Sequence, residues 1–247
     1  MSDALTLAGR AVRLSRRQLD ALLMALVLPV LLMILFVELF GGAIQTGTRY
    51  VTYVVPGVLL LCASYSSGLT AVSICQDMTG GIIDRLRSMD VPARAMFAGH
   101  LVASAARNMV SAALVIAVAL LLGFHPHAGL LDWLGAAGVV LAFAIAISAV
   151  SALLGLFASS AEAANGYTFL IMFLPYASSA FVPVRTMPAW LHGFAAHQPI
   201  TPIAETLRAL LVGGAAGANA WIGLAWCAGL TAGSLAAAGF AFARRAG

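Results

Sequence analysis

The chain has 247 residues, 62% of them hydrophobic and 9% charged, with a mean hydropathy of +0.99. Soluble domains carry roughly 25% charged residues, so this composition excludes an ordinary soluble protein and indicates an integral membrane protein. The net charge of +4 comes from 13 arginines without a single lysine, and with no aromatic-rich basic patch beside them it does not describe a nucleic-acid-binding surface.

Residues 1–18 contain Arg10, Arg13, Arg16 and Arg17. The apolar run that follows is too long for the core of a cleaved signal, so this lead-in is expected to lie on the membrane surface as an amphipathic interfacial segment. About 20 apolar residues cross a hydrocarbon core of roughly 30 Å. That length places six spans at 19–40, 52–75, 98–122, 133–157, 165–183 and 218–242. They occupy most of the chain, so a single transmembrane domain over 1–247 is expected.

Span one carries Glu38 near its outer end, where a carboxylate either snorkels to the headgroups or meets a substrate on a pathway. After span two comes QDMTGGIIDRLRSMD, residues 76–90, with three aspartates and two arginines. Ile82, Ile83, Leu86 and Met89 mark one helical face while Asp84, Arg85, Arg87 and Ser88 occupy the rest. Thr79, with Gly80 and Gly81, is positioned to start or hinge such a helix, and Pro92 to discourage its continuation. It can lie on the inner leaflet, press into a groove on a partner, or remain a solvated loop helix. In span three, Arg107 and Asn108 are a second candidate pathway site, because a buried arginine must face protein, water or a carboxylate.

His125 and His127 flank a proline before Asp132, but two loop histidines are a weak metal signal, and no metal site is assigned. Glu162, in the turn before span five, is either a cytoplasmic gate or partner contact, or a bare turn acid. Pro183, Pro188, Pro199 and Pro202 break the chain after span five. Thr201 and Pro202 are expected to start a short helix that Gly213 and Gly214 stop. Ile203, Leu207, Leu210 and Leu211 form its apolar stripe, and Glu205 and Arg208 pair at three-residue spacing. With Trp190 and Trp221 as interfacial anchors, residues 184–217 read as an external re-entrant helical element or an amphipathic surface loop. Gly229 and Gly233 are a small-residue pair, a common packing device in membrane helices. Cys62, Cys75 and Cys227 lack C-x-x-C spacing and read as buried small residues.

The arginines set the orientation. With both termini cytoplasmic, Arg10, Arg13, Arg16, Arg17, Arg85, Arg87, Arg94, Arg244 and Arg245 lie inside, against Arg49, Arg185 and Arg208 outside. The polar segment 76–97 is then a cytoplasmic loop.

DMTGGIIDRLRSMDVPARAMFAGH, with the block from SSAEAANGY to RALLVGG, resembles the permease subunits of ATP-binding-cassette exporters, specifically the daunorubicin-resistance type within the type 2 ABC permeases. The resemblance covers nearly the whole chain. It implies an all-α integral membrane fold of six transmembrane helices, with a cytoplasmic amphipathic coupling helix and an outer-leaflet re-entrant element. It further implies that Asp77, Gly80, Asp84, Arg85, Leu86, Arg87 and Ser88 dock on an ATPase subunit, and that Trp190, Pro202, Glu205 and Arg208 belong to the external element. Two positions depart from the family pattern, Asp90 where proline is usual and His100 where arginine is frequent.

A phosphate-binding P-loop needs a lysine, so a chain without lysine cannot carry a Walker A site. The expected chain has no cofactor of its own; ATP and Mg would be bound by a partner. The resemblance implies two ATPase subunits and a second permease copy or paralogue, in a cell membrane. The function expected is outward movement of a lipophilic drug or lipid-like substrate, by a chain that is not itself an enzyme. The alternative is a proton-driven secondary transporter, which needs ionisable groups at mid-membrane; an intramembrane hydrolase lacks a nucleophile motif.

Overall fold

The computed structural model describes residues 19–41, 48–80 and 93–246, and their side chains apart from those of 19–26, 40, 93–95 and 242–246. Among the described residues every regular element is helical. Helix α1 (Leu19–Leu35) continues into a π-helical turn at Phe36–Phe40. Helices α2 (Tyr50–Thr79), α3 (Ala93–Leu121) and α4 (Leu130–Phe157) follow. Beyond α5 (Ala161–Met172) come 3-10 turns at Leu174–Ala177 and Val184–Thr186. Two short helices, α6 (Ala189–His197) and α7 (Ile200–Val212), precede the last, α8 (Gly217–Ala246). Four helices, α2, α3, α4 and α8, are long and apolar enough to cross a membrane, and Val27–Leu39 is a shorter apolar helical stretch.

The local signals that end these helices are readable in the backbone. Gly123 takes a φ of 85° just past α3, and the N–H of Phe124 returns to the Ala119 carbonyl at 2.9 Å. Gly213, with φ 97°, closes α7, its N–H bonded to the Ala209 carbonyl. Only glycine adopts such conformations without strain. Ser160 caps α5 by accepting the Ala163 N–H at 3.2 Å, as an N-cap serine should.

Helix α2 is the centre of the bundle. It packs against α1, α3, α4, α5 and α7, and Val54, Val55, Val58 and Leu60 have no exposed surface. A helix apolar on all sides is stable only when surrounded. Close approach depends on glycine. A Cβ on Gly155 of α4 would lie 2.3 Å from the Ala71 carbonyl oxygen of α2, and one on Gly57 of α2 would lie 2.6 Å from the Ala180 carbonyl oxygen. Small residues at helix crossings permit this backbone contact.

Residues 158–181 run antiparallel along α2 from one end to the other. Cys75 contacts the Ala158 carbonyl, Gly68 faces Thr168, Gly57 faces Ala180, and the Tyr50 hydroxyl donates to the Phe181 carbonyl at 3.1 Å. The 25 residues from Tyr50 to Cys75 rise about 38 Å at 1.5 Å each.

Several expectations are corrected. The run 165–183 is not one continuous helix: α5 stops at Met172, because Pro175 has no N–H to return to the preceding turn. Thr79 is the last residue of α2, its hydroxyl bonded back to the Cys75 carbonyl at 2.9 Å, and the helix it was expected to start or hinge lies outside the described residues. Helix α7 begins at Ile200, with Pro199 rather than Thr201 at the N-cap and Pro202 inside the first turn; the Thr201 hydroxyl is used elsewhere. A Cβ on Gly229 or Gly233 would meet nothing within 4 Å, so that pair is not a packing face among the described residues.

The glycine contacts make one substitution act with opposite signs at two sites of α4. Gly155→Ala should destabilise the folded chain by about 1–3 kcal/mol through overpacking against the α2 backbone. Gly138→Ala, where a Cβ meets nothing within 4 Å, should be neutral or raise stability by up to about 1 kcal/mol. Thermal unfolding of the detergent-solubilised variants measures both.

Candidate functional site

Interrupting α5 releases peptide groups inside the bundle, and where water is absent each must find a partner. The side chains around the break supply them. Gln198, in the turn between α6 and α7, donates from Nε2 to the Leu174 carbonyl at 3.1 Å and the Ala177 carbonyl at 2.8 Å. The Ser178 hydroxyl donates to the Pro175 carbonyl and accepts the Ala180 N–H. The Ser179 N–H donates to the Thr201 hydroxyl at 3.1 Å, and that hydroxyl donates in turn to the Ala195 carbonyl.

On the α2 side, the Ser179 carbonyl accepts from the Tyr53 hydroxyl at 2.9 Å and from Arg208 Nη2 at 3.1 Å. Arg208 also donates to the Tyr53 carbonyl at 3.2 Å, pairs with Glu205 at 2.8 Å, and lies 3.9 Å over the Tyr53 ring. Guanidinium geometry suits this combination of a fork and a stacked face. The expected Glu205–Arg208 pair is thus present, and it ties α7 to the break in α5. Ile203, Leu207 and Leu211 are buried as the apolar stripe required, with Leu210 partly buried. Pro202 is buried, while Trp190 is exposed.

A second polar group lies at mid-length of the long helices. Arg107 is the midpoint of α3, 14 residues from Ala93 and 14 from Leu121, or about 21 Å from each end. It donates from Nη2 to the Thr70 hydroxyl of α2 at 3.1 Å, and its buried Nε–H has no acceptor among the described residues. Next to it Asn108, 2% exposed, donates to the Ser104 carbonyl at 2.9 Å, while its own Oδ1 has no donor among the described residues. Ser104 bonds Ser148 of α4 at 2.7 Å, and Ser151 donates to Ser67 of α2 at 2.9 Å. Further along α3, a cavity of about 350 Å³ opens between α3 and α4, with Leu59, Met109, Ala112, Trp133, Val140 and Leu211 in its walls.

At the Thr79 end of α2, Asp77 is bonded to His100 of α3 at 2.9 Å, with both side chains mostly buried. Gly80 closes α2, its N–H bonded to the Gln76 carbonyl at 2.8 Å. Asp84, Arg85, Leu86, Arg87 and Ser88 lie outside the described residues, as do Arg10, Arg13, Arg16 and Arg17. Glu162 is exposed in the first turn of α5. Hydrogen bonds from its own backbone N–H and from Ser160 hold its carboxyl below the usual carboxylate range. Glu38 is exposed on the π-helical turn. His125 bonds the Gly123 carbonyl at 2.8 Å and Asp132 accepts the Gly129 N–H at 2.9 Å, so both are engaged in shaping the α3–α4 connection.

Sequence reading missed Tyr50, Tyr53, Ser178, Ser179 and Gln198. The available signal was Pro175, which interrupts the run 165–183 and obliges the chain to supply polar partners nearby.

Comparison with known proteins adds three findings. Residues 3–212 match the family described as ABC-2 type transporter. The chain is 31% identical over 237 residues, 94% of its length and 83% of the relative's, to the daunorubicin resistance ABC transporter permease protein DrrB1 of Streptomyces coeruleorubidus. It is 26% identical over 209 residues to the probable doxorubicin resistance ABC transporter permease protein DrrC of Mycobacterium tuberculosis, strain CDC 1551 / Oshkosh, covering 83% of this chain and 75% of that one.

The break in α5 generates a stability prediction. Gln198→Leu removes the donor to two partly buried carbonyls, which should cost up to about 1–3 kcal/mol for each group left unpaired and lower the unfolding midpoint in detergent. His197→Ala, next to it but exposed and bonded only to the Gly193 carbonyl, should change that midpoint little.

Proposed function

The chain belongs to the ABC-2 type transporter family, and from that premise we propose that it is the membrane-spanning permease subunit of an ATP-binding-cassette exporter. It moves a lipophilic drug or lipid-like compound outward across a cell membrane, using ATP and Mg bound by a separate ATPase subunit. The single observation that carries this reading is the match over residues 3–212 together with a drug-resistance permease relative aligned over 94% of the chain. The absence of lysine from the sequence supports a partner ATPase, because the phosphate-binding loop of such an enzyme requires one.

Six passes are supported by two features beyond the four long apolar helices. Helix α1 with its π-helical turn extends over residues 19–40, about 33 Å at 1.5 Å per residue. The interrupted segment 158–181 runs the length of α2 although no part of it is a long helix. With the arginine-rich termini inside, the Tyr50 end of α2 faces outward and the Thr79 end inward. Residues α6 and α7, including Trp190, Pro202, Glu205 and Arg208, then form the external element. Asp77, Gly80, Asp84, Arg85, Leu86, Arg87 and Ser88 form the contact to the ATPase, and Glu162 lies at the same cytoplasmic face.

The working unit is two such permeases, identical or paralogous, with two ATPase subunits. Nucleotide binding draws the ATPases together and moves the cytoplasmic segments attached to α2 and α3. Helix α2 runs unbroken for 30 residues, with Pro56 near its outer end, so displacement at its inner end is carried toward the clamp of Tyr53, Ser179 and Arg208. Arg107 and Asn108, midway, and Glu38, on α1, are pathway residues in this scheme.

Two experiments test the reading. Single cysteines at Ser88 and His127, in a chain freed of native thiols, should react with an impermeant thiol reagent from opposite sides of the membrane; same-side labelling overturns the pass count. Reversing Arg85 and Arg87 to glutamate should leave insertion intact while the ATPase no longer co-purifies, since like-charge contacts cost about several kcal/mol at an interface. The same reversal at Arg13 and Arg16 is the control, because an arginine at the lipid surface contributes only about 1 kcal/mol. Full ATPase retention by the loop variant overturns the docking assignment.

A further inference from the structure

We propose that the cavity between α3 and α4 is a binding site for one acyl chain of a bilayer lipid, which enters from the leaflet at the Tyr50 end of α2. The site goes beyond the transport reading and rests only on the chain spanning a bilayer.

The space follows from the alternation of side-chain size along its two walls. Ala112 and Ala113 of α3 and Ala136 and Ala137 of α4 all line it. Met109 and Ile116 on α3, with Trp133 and Val140 on α4, line it one turn to either side, at the spacing that keeps residues on one helix face. The larger residues set the helix separation and the alanines leave the gap. Leu59 of α2 and Leu211 of α7, both buried, form its floor. The volume of about 350 Å³ falls at the lower end of the roughly 300–1,000 Å³ typical of ligand sites. Every lining side chain is apolar apart from the Trp133 indole N–H. A buried water needs about two to four polar partners, so water does not fill such a space, and an empty one forgoes the dispersion contacts of its walls. The occupant that loses nothing by entering is a hydrocarbon.

Depth and direction say which hydrocarbon. Ala113 stands eight residues before the end of α3 at Leu121, and Ala137 seven after the start of α4 at Leu130, or about 12 and 10 Å at 1.5 Å per residue. Those two helix ends lie at the Tyr50 end of α2, where Arg49 donates to the Gly123 carbonyl at 3.1 Å. The mouth therefore lies within one leaflet's half of a hydrocarbon core of roughly 30 Å. Ala113 and Ala137 are exposed whereas Leu59, Ala136 and Leu211 are buried, so the cavity opens on the lateral surface of the bundle between these two alanines. Val110, Leu134 and Leu141, three or four residues from them along the same helices, are exposed as well. They make an uncharged apolar rim at the depth of lipid tails. Trp133, one turn nearer the end of α4, adds an indole toward the level where such rings meet headgroups. A seated chain touches α2, α3, α4 and α7 at once, so the last turn of α7 responds to the lipid beside it.

The test uses the purified full-length chain in phosphatidylcholine nanodiscs, with a trace of phosphatidylcholine that carries a photoactivatable diazirine midway along one chain. Leu224 and Leu235 of α8, exposed outside the cavity, supply the background of ordinary lipid contact. Mass spectrometry of the irradiated protein should find adducts on Met109 and Ile116 at least about tenfold more often than on those two leucines, a preference of about 1.4 kcal/mol. Ala137→Phe, which fills the cavity from its exposed mouth, should abolish the excess and leave the α8 adducts unchanged. A smaller ratio in the wild type overturns the proposal without recourse to any variant, as does an excess that persists in folded Ala137→Phe. The competing occupant is a second copy of the chain. In a background freed of native thiols, a disulfide between two Ala113→Cys chains places that copy over the mouth and overturns the lipid site. The assay needs neither ATP nor a partner, so its failure leaves the transporter reading standing, and loss of ATPase co-purification leaves this site standing.

Discussion

A polypeptide inside a bilayer cannot leave peptide groups unpaired, and in this chain that constraint is concentrated where α5 breaks at Met172. The break creates free carbonyls at Leu174, Ala177, Ser179 and Phe181, and four side chains from three parts of the chain converge to satisfy them. Gln198 comes from the α6–α7 turn, Tyr50 and Tyr53 from the start of α2, and Arg208 from α7. The position of α6 and α7 relative to the core follows from these bonds. Without them α7 would be held by its apolar stripe, by Thr201 and by the His127 N–H on the Leu211 carbonyl, and an apolar stripe by itself specifies a face but not a register.

The same logic organises the middle of the bundle in reverse. Between α2, α3 and α4 the backbones are regular helix and the polar groups are side chains: Ser67 with Ser151, Ser104 with Ser148, Thr70 with Arg107. These contacts sit on helices whose approach glycine permits, most closely at Gly155 against Ala71. A core built in this way carries polar character through the centre of an otherwise apolar bundle. Among the described residues it leaves Arg107 Nε and Asn108 Oδ1 without partners, as the clamp around Ser179 leaves Ser179 Oγ, Gln198 Oε1 and Arg208 Nε.

Much of the fold was legible because membrane helices announce themselves by length and apolarity, and α2, α3, α4 and α8 fall close to their expected bounds. The Glu205–Arg208 pair and the Gly213 stop were legible too, since both are set by spacing within one short helix. Segment 165–183 was not, because hydropathy averages over Pro175 and sees an apolar run where the backbone sees a missing donor. The roles of Tyr53, Gln198 and Thr201 were invisible for a different reason: their partners are 126, 24 and 22 residues away in sequence, and no local pattern encodes such contacts. Thr201 in particular carries the residue type and position of a helix cap but is used as a bridge between α6 and the Ser179 peptide. His100 was noticed only as a departure from a family pattern; its partner, Asp77, emerged when α2 proved four residues longer than hydropathy indicated.

The central claim is that this permease is driven by nucleotide bound on another chain rather than by an ion gradient. The measurement that tests it most directly is transport in inside-out vesicles containing the chain and its co-purified ATPase, with ATP and the transmembrane pH gradient varied independently. Substrate accumulation should require ATP and persist when the pH gradient is collapsed by an ionophore. Accumulation that follows the gradient and proceeds without ATP would contradict the account.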